Sequence, residues 1–214
     1  MAAGDRRPAY LLALLLVWTP EEIDLGALGD PVAKAAAWAA AGRQITRVEF
    51  QLLIESVDQL YLRAKTRGAA AVNTFLEASL PMFDSLALLP GLSPRQIAEL
   101  HHHRGKTYRR LYRDADARRE FETVMAGSFP LDATRLQLIR VYKRSRDFEL
   151  AARLGEEVLS AAEDTGVVSP SVLLAVIQDL PWLDASVRRG LLWPRQSFIE
   201  QTIIHYANAG LIKP

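Results

Sequence analysis

Residues 105–130, GKTYRRLYRDADARREFETVMAGSFP, carry the pattern that decides the fold class. Apolar side chains recur here at helical spacing in two segments, before and after the acidic turn around Asp114. Small, aromatic and proline positions stand at set intervals, at Gly105, Tyr108, Ala117, Phe121 and Pro130. The stretch therefore predicts a pair of antiparallel helices that ends at a proline.

The same pattern returns further along the chain. One constant shift in sequence position aligns residues of similar size, namely Tyr108 with Tyr142, Ala117 with Ala151, and Val124 with Val158. We call this shift, from position 108 to position 142, the repeat offset. Self-similarity at a fixed period is typical of repeat proteins. We expect the two alanines to lie where the helices of a pair cross closely, because a larger side chain would wedge the helices apart.

These spacings resemble those of tetratricopeptide repeats, and the resemblance covers residues 98–165, about a third of the chain. It implies helix pairs stacked into a right-handed α-solenoid, with a concave groove lined by the first helix of each pair. The sequence departs from the family's preferred residues at several positions, which are His101, Arg104, Arg135, Ile139 and Gly155. Another stack of α-hairpins is the alternative.

The rest of the chain is predicted to be all-α too, because no alternating strand pattern appears. Prolines such as Pro81 are expected between helices and not within them. Three regions follow: N-terminal helices over 1–92, two repeats over 93–165, and C-terminal helices over 166–214 that form a degenerate or capping repeat. Helices are predicted at about 31–42, 45–65, 69–80, 94–113, 115–126, 131–145, 147–163, 170–179, 183–191 and 195–208, and the segment 81–94 is predicted to form a short helix followed by a turn.

The N-terminus and the composition bear on the compartment. Arg6 and Arg7 precede an apolar run from Tyr10 to Trp18, which is shorter than the roughly 20 residues that span a bilayer. Pro20 and acidic residues follow where a cleavage site would lie, so a buried first helix is predicted and a signal peptide is the alternative. The chain has no cysteine, which excludes disulfides and fits the cytoplasm. No association with membranes is predicted.

A net charge of +1 hides an uneven distribution. Residues 104–119 hold seven basic and two acidic side chains, a local charge of +5 (7 − 2). The repeat offset also superposes basic positions, placing Lys106, Arg109 and Arg110 on Arg140, Lys143 and Arg144. We call these six residues the basic ladder. They are predicted to lie on the exposed face of the first helix of each repeat.

The resemblance implies that this face lines a ligand groove. The basic ladder, together with His102, is therefore predicted to bind an acidic peptide or protein segment, since Arg and Lys suit carboxylates. Binding of nucleic acid or another polyanion is the first alternative. A second is a regulatory subunit of a larger enzyme, on which the ladder is secondary. A third is a solvated face balanced internally by Glu120, Glu122 and Glu149.

The three consecutive histidines do not predict a metal site. Neighbouring side chains on a helix point about 100° apart, so His101, His102 and His103 cannot converge on one ion. His101 is expected to face the core. Glu99 could bind a metal together with His102 or His103, but the sequence has no second pair of Glu or His residues at a matching helical spacing. Phosphate-binding glycine loops, nucleophile elbows and carboxylate dyads are also missing. The sequence thus predicts a non-catalytic scaffold or adaptor without a cofactor.

Overall fold

The computed structural model describes residues 29–129, 131–165, 173 and 195–208. Within these residues the chain forms helices and no strand, which confirms the predicted all-α class there. The helices are α1 Gly29–Ala40, α2 Arg47–Thr66, α3 Ala69–Ala87, α4 Pro94–Arg110, α5 Asp114–Ala126, α6 Asp132–Ser145, α7 Phe148–Thr165 and α8 Gln196–Asn208. The predicted first helix before Pro20 and the one at 183–191 lie outside the described residues, and so does the one at 170–179 except for residue 173.

The chain divides into two compact units, Met1–Leu111 and Tyr112–Pro214. In the first unit, α1 and α2 pack on α3, and α4 packs on both α2 and α3. In the second unit, α6 packs between α5 and α7 along the chain, in contact with each. Antiparallel neighbours joined by short turns are the arrangement that the helix spacing predicts.

Capping groups set where the long helices of the first unit begin. Thr46 accepts a hydrogen bond from the Glu49 N–H at 3.2 Å, and the Glu49 carboxylate accepts one from the Thr46 N–H at 2.8 Å. Ser93 and Gln96 repeat this capping box at the start of α4. Each box satisfies backbone donors that the first helical turn leaves open. The predicted start of the long helix at Ser93 and Pro94 is confirmed.

The prediction that Pro81 separates two helices is wrong. Pro81 lies inside α3 and is exposed to solvent. A proline inside a helix removes one hydrogen bond and destabilises it by about 3 kcal/mol. The helix continues because apolar side chains on both sides of Pro81 are buried in the core on one face, at Phe75, Leu76, Met82, Phe83 and Leu86. Burial of five such side chains, at about 1.5–3 kcal/mol each, outweighs the lost bond.

The repeat offset is visible in the backbone as well as in the sequence. Tyr112 and Arg146 are related by this offset and both adopt left-handed conformations, with φ of 61° and 64°. The next helices begin at Asp114 and Phe148, which the same offset relates. Left-handed residues end helices by turning the chain, although non-glycine residues rarely adopt them. Two turns of the same rare kind therefore occupy the same position of the predicted repeat.

Burial follows the same period. Ala117 and Ala151 are fully buried in α5 and α7, as expected for residues at a close crossing of helices. Val124 and Val158, the next aligned pair, are buried as well. The predicted burial of these four aligned positions is thus confirmed, while the repeat and its right-handed solenoid stay predictions.

Candidate functional site

One carboxylate of α2 meets three side chains of α4. Arg110 Nη1 donates a hydrogen bond of 2.7 Å to Asp58 Oδ1, and Lys106 Nζ donates one to Asp58 Oδ2. His103 Nδ1 lies 3.4 Å from the same Oδ2. Residues 103, 106 and 110 share one face of a helix because they are three and four positions apart. We call Asp58, His103, Lys106 and Arg110 the Asp58 cluster.

The ion pairs of the Asp58 cluster are partly withdrawn from water. The exposed fractions of the side chains are 25% for Asp58, 17% for Lys106 and 14% for Arg110. Burial raises the pKa of Asp58, but the charges of Lys106 and Arg110 outweigh it and lower the pKa to about 2. Burial lowers the pKa of Lys106, and Asp58 opposes that shift. Asp58 is therefore ionised at neutral pH and holds two cations.

The neighbouring histidines carry no charge at neutral pH. Burial, followed by the nearby His103 and Lys106, lowers the pKa of His102 to about 3. Burial and Lys106 lower the pKa of His103 to about 4. The two imidazole rings meet edge to face, with centroids 5.3 Å apart. Asp58 and the groups in direct contact with it thus comprise one carboxylate, two cations and one neutral imidazole, and their net charge is +1 at pH 7.

Acid titration should reveal the contribution of Asp58 to stability. Its folded pKa of about 2 is below the ordinary value of 3.8, so the contribution is complete above about pH 4 and is lost as the pH falls towards 2. The shift corresponds to about 2 kcal/mol. We expect the difference in unfolding free energy between the wild type and Asp58→Asn to shrink by that amount over this range, measured by urea denaturation. A constant difference would contradict the assignment.

An arginine between a carboxylate and a tyrosine ring occurs at equivalent positions of both predicted repeats. The Arg110 guanidinium lies 3.8 Å from the centroid of the Tyr61 ring while it binds Asp58. In the second unit, Arg144 lies 5.0 Å from the Tyr112 ring, and its Nε donates a 2.6 Å hydrogen bond to Asp114. Cation–π contact and ion pairing together fix the plane of a guanidinium. Arg110 and Arg144 are therefore held in position by neighbouring side chains of the same chain.

The structure corrects the predicted exposure of the basic ladder. Lys106 and Arg110 are mostly buried against α2 and not on an open face, because α4 packs on two helices and its buried arc is broad. Arg109, Arg140 and Lys143 are half-buried, and Arg144 is exposed. Lys106, Arg109 and Arg110 belong to the first unit and the other three to the second. That all six share one surface stays a prediction.

The expected orientation of the histidines is wrong. His102, predicted to join the basic ladder, is buried with an exposed fraction of 6%. His101, predicted to face the core, is only half-buried and lies 3.5 Å from an Arg104 nitrogen. The cause is again the packing of α4 on both α2 and α3, which buries the face of α4 that carries His102. His102 is therefore part of the wall behind the Asp58 cluster and not a surface ligand.

The acids that pair with the basic ladder differ from those predicted. Asp58 and Asp114 neutralise part of it, whereas Glu122, predicted for that role, accepts hydrogen bonds from Arg118 at 2.7 Å and Tyr142 at 3.0 Å. A signal for Asp58 was present, because Asp58 interrupts the apolar stripe between Ile54 and Tyr61 on α2. A charge in such a stripe needs a partner from another element.

The described residues contain no group of three or more His, Cys, Asp or Glu side chains placed to hold a metal ion. Among the helices of the described ranges, none combines the length and the apolar character needed to cross a bilayer. Comparison of the sequence with models of protein families finds no match, and neither do comparisons with curated proteins and solved structures.

Proposed function

We propose that the protein is a non-catalytic interaction module, a scaffold or adaptor that binds an acidic peptide or protein segment through the basic ladder. The observation that carries this proposal is the charge imbalance of the Asp58 cluster. Lys106 and Arg110 share one carboxylate, so a second carboxylate would bring the group to neutrality. The absence of cysteine supports a cytoplasmic setting.

The donors of the cluster have capacity for such a ligand. An ammonium has three N–H donors and a guanidinium has five. Lys106 and Arg110 each donate one hydrogen bond to Asp58, and their side chains are 17% and 14% exposed. Because Tyr61 and Asp58 already order Arg110, binding loses little side-chain entropy at that position. A carboxylate would therefore meet preoriented donors.

The repeat pattern supports a similar role for the cations of α4 and those of α6. The left-handed turns and helix starts recur at the repeat offset, and Arg110 and Arg144 each meet a carboxylate and a tyrosine ring. Stacked helix pairs that present the same position in each repeat commonly bind extended segments. Under this proposal the cations of α4 and those of α6 each contact acidic side chains of the ligand.

Binding of a fluorescein-labelled decaglutamate peptide, followed by fluorescence anisotropy, tests the proposal. Lys106→Gln should weaken binding about fivefold, because one cation at contact distance in water contributes about 1 kcal/mol. Lys143→Gln in α6 should weaken it by a similar factor. The matched control is Arg47→Gln, which removes an exposed cation at the start of α2. Arg47 and Asp58 are about 16 Å apart along the helix, so little change is expected.

Three results would count against this function. Equal losses in all three variants would indicate diffuse attraction to a basic protein. No measurable binding of the peptide to the wild type would remove the proposal altogether. Tighter binding of a mixed-sequence single-stranded DNA of equal charge, with the steep salt dependence of phosphate contacts, would favour the nucleic-acid alternative.

A further inference from the structure

Asp58 places a negative charge at the point where the proposed ligand would put its own. Its two oxygens bind Lys106 and Arg110, which are the cations assigned to the acidic segment. Removal of a competing carboxylate strengthens the attraction of a site for anions, so the presence of Asp58 needs a physical reason. One reason is structural, because Asp58 holds together two cations that would otherwise repel each other at short range.

We propose that Asp58 is a specificity-determining residue, which makes the site select carboxylate-bearing segments over segments that carry phosphomonoesters. The inference rests on the proposed function, because it concerns the same site and the same class of partner. It assigns to Asp58 a role in setting the charge that the site accepts, in addition to its structural contact between α2 and α4.

The physical basis is the different dependence of two energies on ligand charge. Attraction to the site grows in proportion to the charge of the ligand, whereas the desolvation penalty of an ion grows with the square of its charge. A carboxylate carries one negative charge and a phosphoserine carries up to two. A site of charge +1 therefore suits a carboxylate, and a site of charge +2, without Asp58, suits the phosphomonoester.

Location within the protein strengthens this effect. The side chains of the Asp58 cluster are at most one quarter exposed, so water screens the charge of Asp58 less than it would on an open surface. His102 is buried on the same helix, and its uncharged ring packs against the uncharged ring of His103. Arg109 is near enough to affect Lys106, but it contributes equally with and without Asp58. Asp58 is thus the group whose removal changes the charge preference.

The test compares two labelled decapeptides at pH 8, one of alternating Gly and Glu and one of alternating Gly and phosphoserine. Asp58→Asn should strengthen binding of the Glu peptide about fivefold and that of the phosphoserine peptide about 25-fold, because the repulsion removed doubles with the charge of the contacting group. The ratio of the two dissociation constants should therefore move about fivefold towards the phosphoserine peptide.

A second pair of variants guards against misfolding of Asp58→Asn. Lys106→Gln alone lowers the charge of the cluster to zero and should shift the ratio about fivefold towards the Glu peptide. Adding Asp58→Asn to Lys106→Gln removes both partners of one contact, which preserves folding better than removing one. This double variant restores the charge of +1 and should return the ratio to the wild-type value.

The matched control is Asp84→Asn, which neutralises another acid paired with α4. Asp84 binds Arg104 at 3.1 Å but is 68% exposed, so the ratio should stay at the wild-type value. An unchanged ratio in Asp58→Asn, or between Lys106→Gln and the double variant, would overturn the inference and leave the proposed function intact. An equal shift in Asp84→Asn would overturn it as well. Failure of the wild type to bind the Glu peptide would instead remove the function on which it rests.

Discussion

Replacement of Asp58 by alanine should lower the free energy of unfolding of the first unit by about 3 kcal/mol. Removing one partner of a buried ion pair costs about 3–5 kcal/mol, because the other charge is left without compensation. Two cations, Lys106 and Arg110, depend on Asp58, while the partial exposure of all three side chains places the value at the low end of that range. Hydrogen exchange of the amides in α2 and α4 measures the loss within this unit.

Asp84→Ala is the control for this experiment. Its ion pair with Arg104 joins α3 to α4 as the pair of Asp58 joins α2 to α4, but most of Asp84 is exposed. Exposed ion pairs contribute about 0–1 kcal/mol, so the loss should be small. Similar losses for the two variants would show that the Asp58 cluster is an ordinary surface network and contributes no special stability to the contact between helices.

The fold class could be predicted from the sequence because its determinants are local. The start of α4 depends on Ser93 and Gln96, three positions apart, and the starts of α5 and α7 follow from turns within a few residues. Helical spacing of apolar residues and capping signals act over these short distances. The predicted helices at 115–126 and 131–145 accordingly agree with α5 and α6 to within one residue.

The candidate site could be predicted only in part because its determinants are tertiary. The basic residues of α4 are evident in the sequence, but Asp58 lies 48 residues from Lys106 and 52 from Arg110. Only the packing of α4 on α2 brings them together, and the same packing buries His102. Tyr112 shows a similar limit, since a left-handed turn predicts glycine or asparagine at such a position and not tyrosine.

Phe121→Ala should destabilise the second unit by about 3–5 kcal/mol, the range for removal of a fully buried aromatic side chain. Phe121 is completely buried in α5, and its counterpart at the repeat offset, Gly155, is also buried but has no side chain. At this repeat position α5 therefore places an aromatic side chain in the core, and α7 does not. Hydrogen exchange of the amides in α5, α6 and α7 measures the loss.

The matched control for Phe121 is Phe129→Ala. Phe129 lies just beyond the end of α5 and is exposed, so its removal should change the free energy of unfolding by no more than about 0.5 kcal/mol. A loss below about 1 kcal/mol for Phe121→Ala would contradict the close packing of this core, because a cavity of aromatic size in a closely packed core lowers the free energy of unfolding by more than that. A large loss confined to the amides of α5 would show that α5 and α6 do not unfold together. Protection lost across α5, α6 and α7 at once is the expected result, since stacked helix pairs stabilise one another through their shared interfaces.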